Sequence, residues 1–491
     1  MSPNFAILLC SLAISLLATP LVRNAAMARG MLDQVGNSRK VHTRAVPRLG
    51  GVGIVLGIYG AFGFALLFLP RVQQIVLANG ATLLWLALAG LVIAVLGMYD
   101  DVRGSSAKVK FAVQFGVALA LYRAGYRIDY VDGPFQGYIA LGALSLPVTL
   151  LWIAGVSNAL NLIDGLDGLA GGMALAGVVA VFAISRRSGD VPGALVAMAL
   201  AGGIIGFLAY NVNPASIFMG DTGSLFLGTI VAAVTLRPHG AGRHTVPLFA
   251  MCIALAIPLA DTAVAMLRRW ARGAPLFAAD REHLHHKLLG AGFTHRGAVL
   301  ALWIAASVLS WAAIQISSGN RLRGAMLFGA ALGGGFALVR LGMVRWPDAV
   351  LRERRQRNRL RLAAVHVVVE RIRFAPDLAT IRHELDHAAA ALDARAITLN
   401  IESETARAAY RAPKRNESRS RFVLDAARPT WAVLDVTWAE LGLEVDRDAE
   451  IAFEILAERV ANAVNRVEHG RGRPSWLRAV LGGKRIERSA A

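Results

Sequence analysis

The chain has 491 residues, of which 55% are apolar, and its mean hydropathy is +0.50. The chain is therefore too apolar for a soluble enzyme, and its composition indicates a membrane protein with a further domain. The formal net charge is +19. Because most of the excess of Lys and Arg over Asp and Glu lies in loops between apolar segments, cytoplasm-facing loops explain this charge better than nucleic-acid binding does.

Eleven apolar windows, each of roughly the 20 residues that cross a bilayer, follow one another along the first two thirds of the chain. They begin near residues 3, 49, 79, 108, 139, 168, 192, 215, 245, 298 and 324. This pattern predicts an all-α polytopic membrane protein with about 11 transmembrane helices. No small-residue cleavage site follows the first window, so we expect that window to stay as a span rather than to be a removed signal peptide.

The composition changes after Trp346. The preceding residues contain a single glutamate, Glu282, whereas glutamates are frequent beyond this point. We therefore predict a transmembrane domain over residues 1–346 and a cytoplasmic α+β domain over residues 347–491. The second domain opens with the basic run "RERRQRNRLRL". This run either lies along anionic lipid headgroups or is an unspecific basic flank on the cytoplasmic side of the last span.

Within the predicted cytoplasmic domain, three segments are expected to form strands and residues 447–468 a closing helix. The strand segments are "AITLNIES", "RFVLDAA" and "TWAVLDVTW". This arrangement is similar to GAF-type sensor domains. The segment "HELDH", residues 383–387, fits the H-E-x-x-H pattern of zinc peptidases. Since no third ligand motif follows, we interpret it as part of an amphipathic surface helix.

Lys and Arg residues in alternate loops predict the orientation in the membrane. Residues 23–48 and residues 268–297 each contain six of them. With eleven spans the two loops lie on the same side, which the positive-inside rule makes cytoplasmic. The N-terminus is then outside, and every acid-rich or histidine-rich cluster of the membrane part faces the cytoplasm.

Four such clusters could converge on one cytoplasm-facing cleft. They are "GMYDDVRG" with Asp100 and Asp101, "NLIDGLDG" with Asp164 and Asp167, "NVNPASIFMGDTGS" with Asp221, and "DREHLHHKLLG" with His283, His285 and His286. Ionisable groups near bilayer depth are costly and therefore indicate function. The alternatives are that the acids only cap helices, with Asp221 serving as its own N-cap, and that Asp261 inside the ninth span marks a transporter path.

The spacing of residues within these clusters suggests their chemistry. Adjacent carboxylates such as Asp100 and Asp101 suit a divalent cation or a base with a raised pKa. Asp164 and Asp167 share one face if their segment is helical, and Asn161 lies three residues before Asp164. The three histidines lie beside Arg281 and Lys287 and predict a cationic site for phosphate or sugar groups.

Six motifs, in order, resemble the polyprenyl-phosphate N-acetylhexosamine-1-phosphate transferases, glycosyltransferases of family 4. They are "RKVHTRAVPRLGG", "DDVRG", "NLIDGLDGLAGG", "NPASIFMGDTGSLFLG", "PLADTAVAMLRR" and "DREHLHHKLLGAGFTHR". The resemblance covers about residues 1–345. It implies an enzyme that transfers a HexNAc 1-phosphate from a UDP-sugar to undecaprenyl phosphate and releases UMP. GlcNAc 1-phosphate is the favoured group. This would be the first membrane step of an envelope polysaccharide such as lipopolysaccharide or exopolysaccharide, in a bacterial inner membrane.

The resemblance also implies roles for matching residues. Asp221 matches a Mg²⁺ ligand, with Mn²⁺ as an alternative ion, and Asp100 and Asp101 match acids that act on the lipid phosphate. Donor-binding roles are implied for a larger set: Asp164, Asp167, Asn161, Asn211, Lys40, His42, His283, His285 and His286. The competing hypotheses are a membrane transporter and a phospho-MurNAc-pentapeptide transferase, and a homodimer is one assembly we consider.

The predicted orientation can be tested by cysteine labelling of intact cells with a membrane-impermeant reagent. We expect a cysteine at Asn320 to react, because it lies in an outer loop, and a cysteine at Ala279 to react only after the cells are opened. Labelling of Ala279→Cys from outside would contradict the orientation.

Overall fold

The computed structural model describes most of the helical part and a portion of the C-terminal part. The described residues are 2–33, 46–132, 138–239, 243–244, 248–272, 283–290, 293–318, 349–392, 394–401, 418–424, 432–438, 447–469 and 486–487, with Gly329 and Gly333 as single positions. The last predicted span, near residue 324, lies largely outside these ranges.

Thirteen helices are described before residue 319. They are α1 (Pro3–Ala28), α2 (Gly50–Phe68), α3 (Pro70–Ala78), α4 (Gly80–Arg103), α5 (Ala107–Arg123), α6 (Ser145–Ile163), α7 (Leu169–Ser188), α8 (Val191–Asn211), α9 (Gly220–Thr235), α10 (Leu248–Ala254), α11 (Ala256–Arg272), α12 (Leu284–Gly290) and α13 (His295–Ser317). Short two-stranded ribbons, β1–β2, β3–β4 and β5–β6, lie in the connections.

Within the described residues, seven helices are long and apolar enough to cross a membrane, and an eighth span exists if the bent pair α10 and α11 counts as one. The protein is thus a polytopic helical membrane protein, while the expected total of eleven spans is not reached by this criterion. The predicted spans near 108 and 215 form α5 and α9, which have only 17 and 16 residues.

The ninth predicted span is not one straight helix, because α10 and α11 meet at 80°. Pro258 lies near the start of α11. A proline has no N–H and its ring collides with the carbonyl four residues earlier, here that of Ala254, where α10 ends. The sequence contained this signal, but hydropathy alone did not show the bend.

The bundle has two ends that are fixed by polar contacts. At the first, which we call the aspartate end, Lys110 bonds Asp100 and Asp221. At the second, which we call the arginine end, Arg237 bonds Asp190 at 2.9 Å and Thr82 at 3.3 Å.

The two shorter helices connect these ends. Helix α5 begins beside Lys110, and Tyr126 just beyond it donates to the Thr82 carbonyl at 2.8 Å. Helix α9 begins beside Asp221 and is followed by Arg237. Like α4, which begins near Thr82 and ends beyond Asp100, α5 and α9 therefore each extend from one end of the bundle to the other.

Small residues bring the helices together. Ser11 and Ser15 of α1 donate to the carbonyls of Ala199 and Gly203 on α8, at 2.7 and 2.8 Å. Since lipid tails provide little hydrophobic drive between helices, such close contacts and interhelical hydrogen bonds hold membrane bundles. The same principle acts between α4 and α9, where Gly97 lies against the backbone of Asp221 and Thr222.

The C-terminal part contains α14 (Ala349–Arg373), α15 (Leu378–Ala391), α16 (Arg447–His469) and an antiparallel sheet in the order β10-β8-β9-β7, in which β10 is Ile486–Glu487. The three strands expected from the sequence are β7 (Ala396–Ile401), β8 (Ser418–Val423) and β9 (Ala432–Trp438). Apolar residues of the helices and strands form a second core, separate from that of the bundle. The domain boundary at residue 346 and the similarity to GAF domains stay predictions.

The contact at Gly97 gives a prediction about stability. A Cβ atom there would lie 2.5 Å from the Asp221 carbonyl, whereas a Cβ at Gly116 on α5 would meet nothing within 4 Å. We expect Gly97→Ala to destabilise the protein by about 1–3 kcal/mol through overpacking, seen as a lower midpoint of thermal unfolding in detergent.

The matched control is Gly116→Ala, which should be neutral or stabilising by up to about 1 kcal/mol because alanine favours helix. Equal effects of the two substitutions would contradict the proposed contact.

Candidate active site

Asp101 near the end of α4 holds the start of α9. Its Oδ1 accepts from the Asp221 N–H at 2.8 Å, and its Oδ2 accepts from the Thr222 N–H at 2.9 Å and the Thr222 hydroxyl at 2.6 Å. The first N–H groups of a helix have no partner within the helix and favour an anion. The sequence alternative that Asp221 caps its own helix is therefore wrong, since Asp101 from another helix does so.

Gly220, the first residue of α9, makes this approach feasible. Its φ of +69° is in the left-handed region, and a Cβ there would collide with the Arg48 carbonyl and lie 2.6 Å from Asp101 Oδ2. Only glycine combines this conformation with such close packing. The backbone of α9 is thereby brought directly onto the Asp101 carboxylate.

Lys110 on α5 joins the other two carboxylates at this end. Its Nζ lies 2.8 Å from Asp100 Oδ2 and 2.5 Å from Asp221 Oδ2. Asp100 also accepts from the Ser105 hydroxyl at 2.5 Å. The lysine thus occupies the space between two acids that would otherwise repel each other.

Asn161 of α6 completes the surroundings of Asp221. Its Nδ2 donates to Asp221 Oδ1 and to Ser224 Oγ, each at 2.9 Å. Side chains from α4, α5, α6 and α9 therefore meet around one carboxylate. We call this group, Asp100, Asp101, Lys110, Asn161 and Asp221, the carboxylate cluster.

Asp164 and Asp167 do not share a helix face, contrary to the sequence expectation. Helix α6 ends at Ile163 and α7 begins at Leu169, and Gly168 between them has a φ of +80°, so the acids lie in a turn. Asp167 is buried and accepts from Asn213 Nδ2 at 2.9 Å and from the Ala215 N–H at 3.0 Å.

Asn211 also serves this turn. It is 2% exposed, accepts from the Gly168 N–H at 3.0 Å and donates to the Ile217 carbonyl at 2.9 Å. Asp167 and Asn211 thus join the turn to residues 213–217, which precede α9. Their donor-binding roles stay predictions, and these contacts assign them a positioning part in the site.

Asp164 is a half-buried residue of the same turn and lies next to the carboxylate cluster. Burial, together with the charges of Asp221, Asp101 and Asp167, raises the pKa of Asp164 to about 8. A carboxyl whose charge is opposed by its neighbours marks a region of uncompensated negative potential.

The histidine segment is attached to α11 by Asp261. His283 Nδ1 lies 2.8 Å from Asp261 Oδ2, and the Leu284 N–H donates to Asp261 Oδ1 at 2.9 Å. Asp261 is 2% exposed. The residue that favoured a transporter path is therefore a partner of the histidine segment.

His285 packs against the turn that carries Asp164. A Cβ at Gly165 would collide with the His285 ring, which also stacks with His283 and contacts His286. Burial, together with His286 and His283, lowers the pKa of His285 to about 3. The lowered pKa disfavours a charge on His285, and the cationic site predicted from the three histidines beside Arg281 and Lys287 stays a prediction.

Two residues near the site were missed by the sequence analysis. Lys110 lies inside an apolar window. A charged residue there, ten residues after Asp100, was the available signal that it belongs to the site. His295 accepts from the Asp167 N–H at 3.0 Å, and no spacing pattern indicated it. Lys40 and His42, both predicted to contact the donor, lie outside the described residues.

The residues present can be tested for their fit to a divalent cation. Within the described part of the chain, no group of three or more His, Cys, Asp or Glu is arranged to hold a metal ion. Mg²⁺, however, commonly binds one or two carboxylates and fills its other positions with water and phosphate oxygens. Asp221 provides such an oxygen, so its carboxylate fits a Mg²⁺ ion whose other ligands are water and phosphate oxygens.

Comparison with known proteins gives the family. The model of glycosyl transferase family 4 matches residues 83–239. The chain is 37% identical over 313 residues to a Bacillus subtilis protein described as "Probable undecaprenyl-phosphate N-acetylglucosaminyl 1-phosphate transferase", a match that covers 63% of this chain and 83% of that relative. The chain belongs to glycosyl transferase family 4.

Two further relatives support the reaction class. A decaprenyl-phosphate N-acetylglucosaminephosphotransferase of Mycobacterium tuberculosis is 33% identical over 324 residues, 61% of this chain and 80% of the relative. An undecaprenyl-phosphate alpha-N-acetylglucosaminyl 1-phosphate transferase of Escherichia coli is 30% identical over 297 residues, 59% and 77% of the two chains. These relatives are thus named as N-acetylglucosamine-1-phosphate transferases with polyprenyl-phosphate acceptors, and as a member of the same family this chain is an enzyme.

The contacts of Asp101 predict a structural effect of Asp101→Asn. The amide keeps the size of the side chain but loses the charge and one acceptor oxygen at the α9 N-terminus. We expect a loss of about 1–2 kcal/mol, the range for helix caps, measured by thermal unfolding. Asp100→Asn, which touches no backbone N–H of α9, serves as control and should change stability less.

Asp164 predicts how stability depends on pH without divalent ions. Its pKa of about 8 in the folded protein lies above the value of about 3.9 for an unfolded chain. Folding therefore favours the protonated acid, and this contribution is lost as pH rises from about 4 through 8. In a chelator, the unfolding temperature of the parent should fall more steeply between pH 5 and pH 9 than that of Asp164→Asn. Parallel curves would show that Asp164 ionises normally.

Proposed function

We propose that this enzyme transfers a HexNAc 1-phosphate, most simply GlcNAc 1-phosphate, from a UDP-sugar to undecaprenyl phosphate. The products are undecaprenyl-diphosphate-HexNAc and UMP, in an early membrane step of envelope polysaccharide synthesis. The observation that carries this proposal is the carboxylate cluster at one end of the bundle. It joins four helices around the half-buried side chain of Lys110, which an anionic lipid headgroup and a nucleotide diphosphate could both reach.

The reaction is a direct displacement at phosphorus. An oxygen of the lipid phosphate forms a bond to the sugar-linked phosphorus of the donor, and the bridging P–O bond to the uridine-bearing phosphate breaks, so that UMP leaves with the electron pair. The lipid phosphate has a second pKa near 6 and is mostly ionised at neutral pH. Catalysis therefore needs positioning and charge neutralisation more than a strong base.

Each member of the carboxylate cluster has a distinct part in this proposal. Lys110 neutralises phosphate charge and separates Asp100 from Asp221. Asp100 orients the lipid phosphate, and Asp101 acts indirectly by holding the α9 N-terminus in place. Asp221 would hold Mg²⁺, or Mn²⁺ in its place, through an oxygen atom. The cation, when bound, supplies charge neutralisation of the donor diphosphate.

The orientation and the span count belong to the same proposal. Helices α5 and α9 connect the aspartate end to the arginine end, so we propose that both cross the bilayer despite their length. With α10 and α11 as one span, the described helices cross ten times, and the eleventh crossing expected near residue 324 lies largely outside the described residues. The aspartate end and the C-terminal part then face the cytoplasm of a bacterial inner membrane, and the N-terminus faces outside.

The proposed function can be tested with purified protein, undecaprenyl phosphate and Mg²⁺. A panel of UDP-GlcNAc, UDP-GalNAc and UDP-MurNAc-pentapeptide is offered, and UMP release and chloroform-soluble product are measured. UMP release with UDP-GlcNAc supports the proposal. Turnover only with the pentapeptide donor would favour the phospho-MurNAc-pentapeptide alternative.

Substitutions at two acids separate cation binding from lipid positioning. Asp221→Asn removes the charge that a hard cation needs, so turnover should fall by about 10²-fold or more, with weaker Mg²⁺-dependent donor binding. Asp100→Asn should lower turnover but leave Mg²⁺-dependent donor binding, measured by calorimetry, largely intact. A loss of Mg²⁺ affinity in both variants would place Asp100 in the metal site as well.

A further inference from the structure

Helix α15 carries two histidines outside the transfer site. Its inner face packs into the second core through Ile381, Leu385 and Ala388, which are buried. His383 and His387, one turn apart, are exposed on its outer side. Residues at i and i+4 of a helix lie above one another, so the two imidazoles form a pair on a firmly packed element.

The decisive observation is the distance between the Nε2 atoms of the two rings. His383 Nε2 and His387 Nε2 lie 3.1 Å apart, and the ring planes are perpendicular with centroids 4.3 Å apart. Two nitrogens at about 2.0–2.1 Å from one ion lie about 2.9 Å apart at a right angle and about 3.4 Å apart at the tetrahedral angle. The observed separation falls between these values.

The helix also fixes the backbone of the pair. Asp377 accepts from the Thr380 N–H at 2.8 Å and so caps the start of α15. Glu384, between the two histidines in sequence, lies 3.2 Å from Arg371 of α14. Two ligands that are already held together lose little freedom when an ion binds them, which raises the affinity of the pair above that of separate histidines.

We propose that His383 and His387 form a two-histidine site for a divalent transition metal ion, Zn²⁺, Ni²⁺ or Cu²⁺. Neutral imidazole suits these ions, whereas Mg²⁺ prefers oxygen. The site is therefore chemically separate from the carboxylate cluster. Water fills the other coordination positions, since the described residues offer no third protein ligand.

This site is distinct from the peptidase that the "HELDH" pattern suggests. A zinc peptidase of this type uses the glutamate as general base, but Glu384 is paired with Arg371. The inference is therefore metal binding through two imidazoles, without hydrolysis.

The test uses the full-length protein in detergent, purified without a polyhistidine tag, and Ni²⁺ as the probe in equilibrium dialysis. His383→Gln and His387→Gln should each weaken one Ni²⁺ site about tenfold or more, and the double variant should bind one equivalent fewer. His366→Gln removes another exposed histidine, on α14, and should leave binding unchanged. Unchanged thermal unfolding of all four variants confirms that they fold.

A second measurement does not depend on substitution. Zn²⁺ should protect His383 and His387 of the parent protein from acylation by diethyl pyrocarbonate, as mapped by mass spectrometry, but should not protect His366. Equal Ni²⁺ binding by the parent and the double variant, or equal acylation with and without Zn²⁺, would overturn the proposal.

Discussion

The carboxylate of Asp101 and the start of α9 form the contact on which the rest of the site depends. Three donors of α9 converge on this one side chain of α4. A buried helix end needs partners for its free N–H groups, and a carboxylate satisfies them while offsetting the helix dipole. The contact fixes Asp221 one residue into α9, and with it the position of Lys110 and Asn161.

Two glycines allow this contact to form at the aspartate end. Gly97 of α4 and Gly220 of α9 have no room for a Cβ, because backbone or carboxylate oxygens of the other helix occupy it. The glycines weaken their own helices, but close packing and interhelical hydrogen bonds offset that cost. The residue types at the helix interface and the acids of the site are therefore parts of one arrangement.

The electrostatics of the aspartate end follow from this geometry. Lys110 is shared by two acids, and burial, with the nearby charges of Asp221, Asp101 and Asp167, raises the pKa of Asp164. Such a site gains stability when positive charge enters. The three carboxylates of the carboxylate cluster outnumber the ammonium group of Lys110. The ring of His285 nearby packs closely on Gly165, where a Cβ atom would collide with it.

The sequence by itself determined the polytopic helical class, the family, and the clusters that meet in the site. Hydropathy identifies the spans because a helix in lipid must be apolar along most of its length. Acids such as Asp100 and Asp221 are therefore conspicuous in the sequence. The three strands after residue 346 were also predicted near their observed positions, since alternation of buried and exposed residues is local.

Only the tertiary structure decided which partner each polar group has. Asp101 caps α9 although 120 residues separate it from Asp221, Asp261 belongs to His283, and Lys110 lies between two acids. The turn at residues 164–168 replaced an expected helix face, because Gly165 and Gly168 permit a turn that spacing rules do not reveal. The bend between α10 and α11 and the 3.1 Å separation of His383 and His387 likewise depend on packing. Hydrogen bonds between distant residues are set by how helices approach, and that approach is a property of the whole bundle rather than of any one segment.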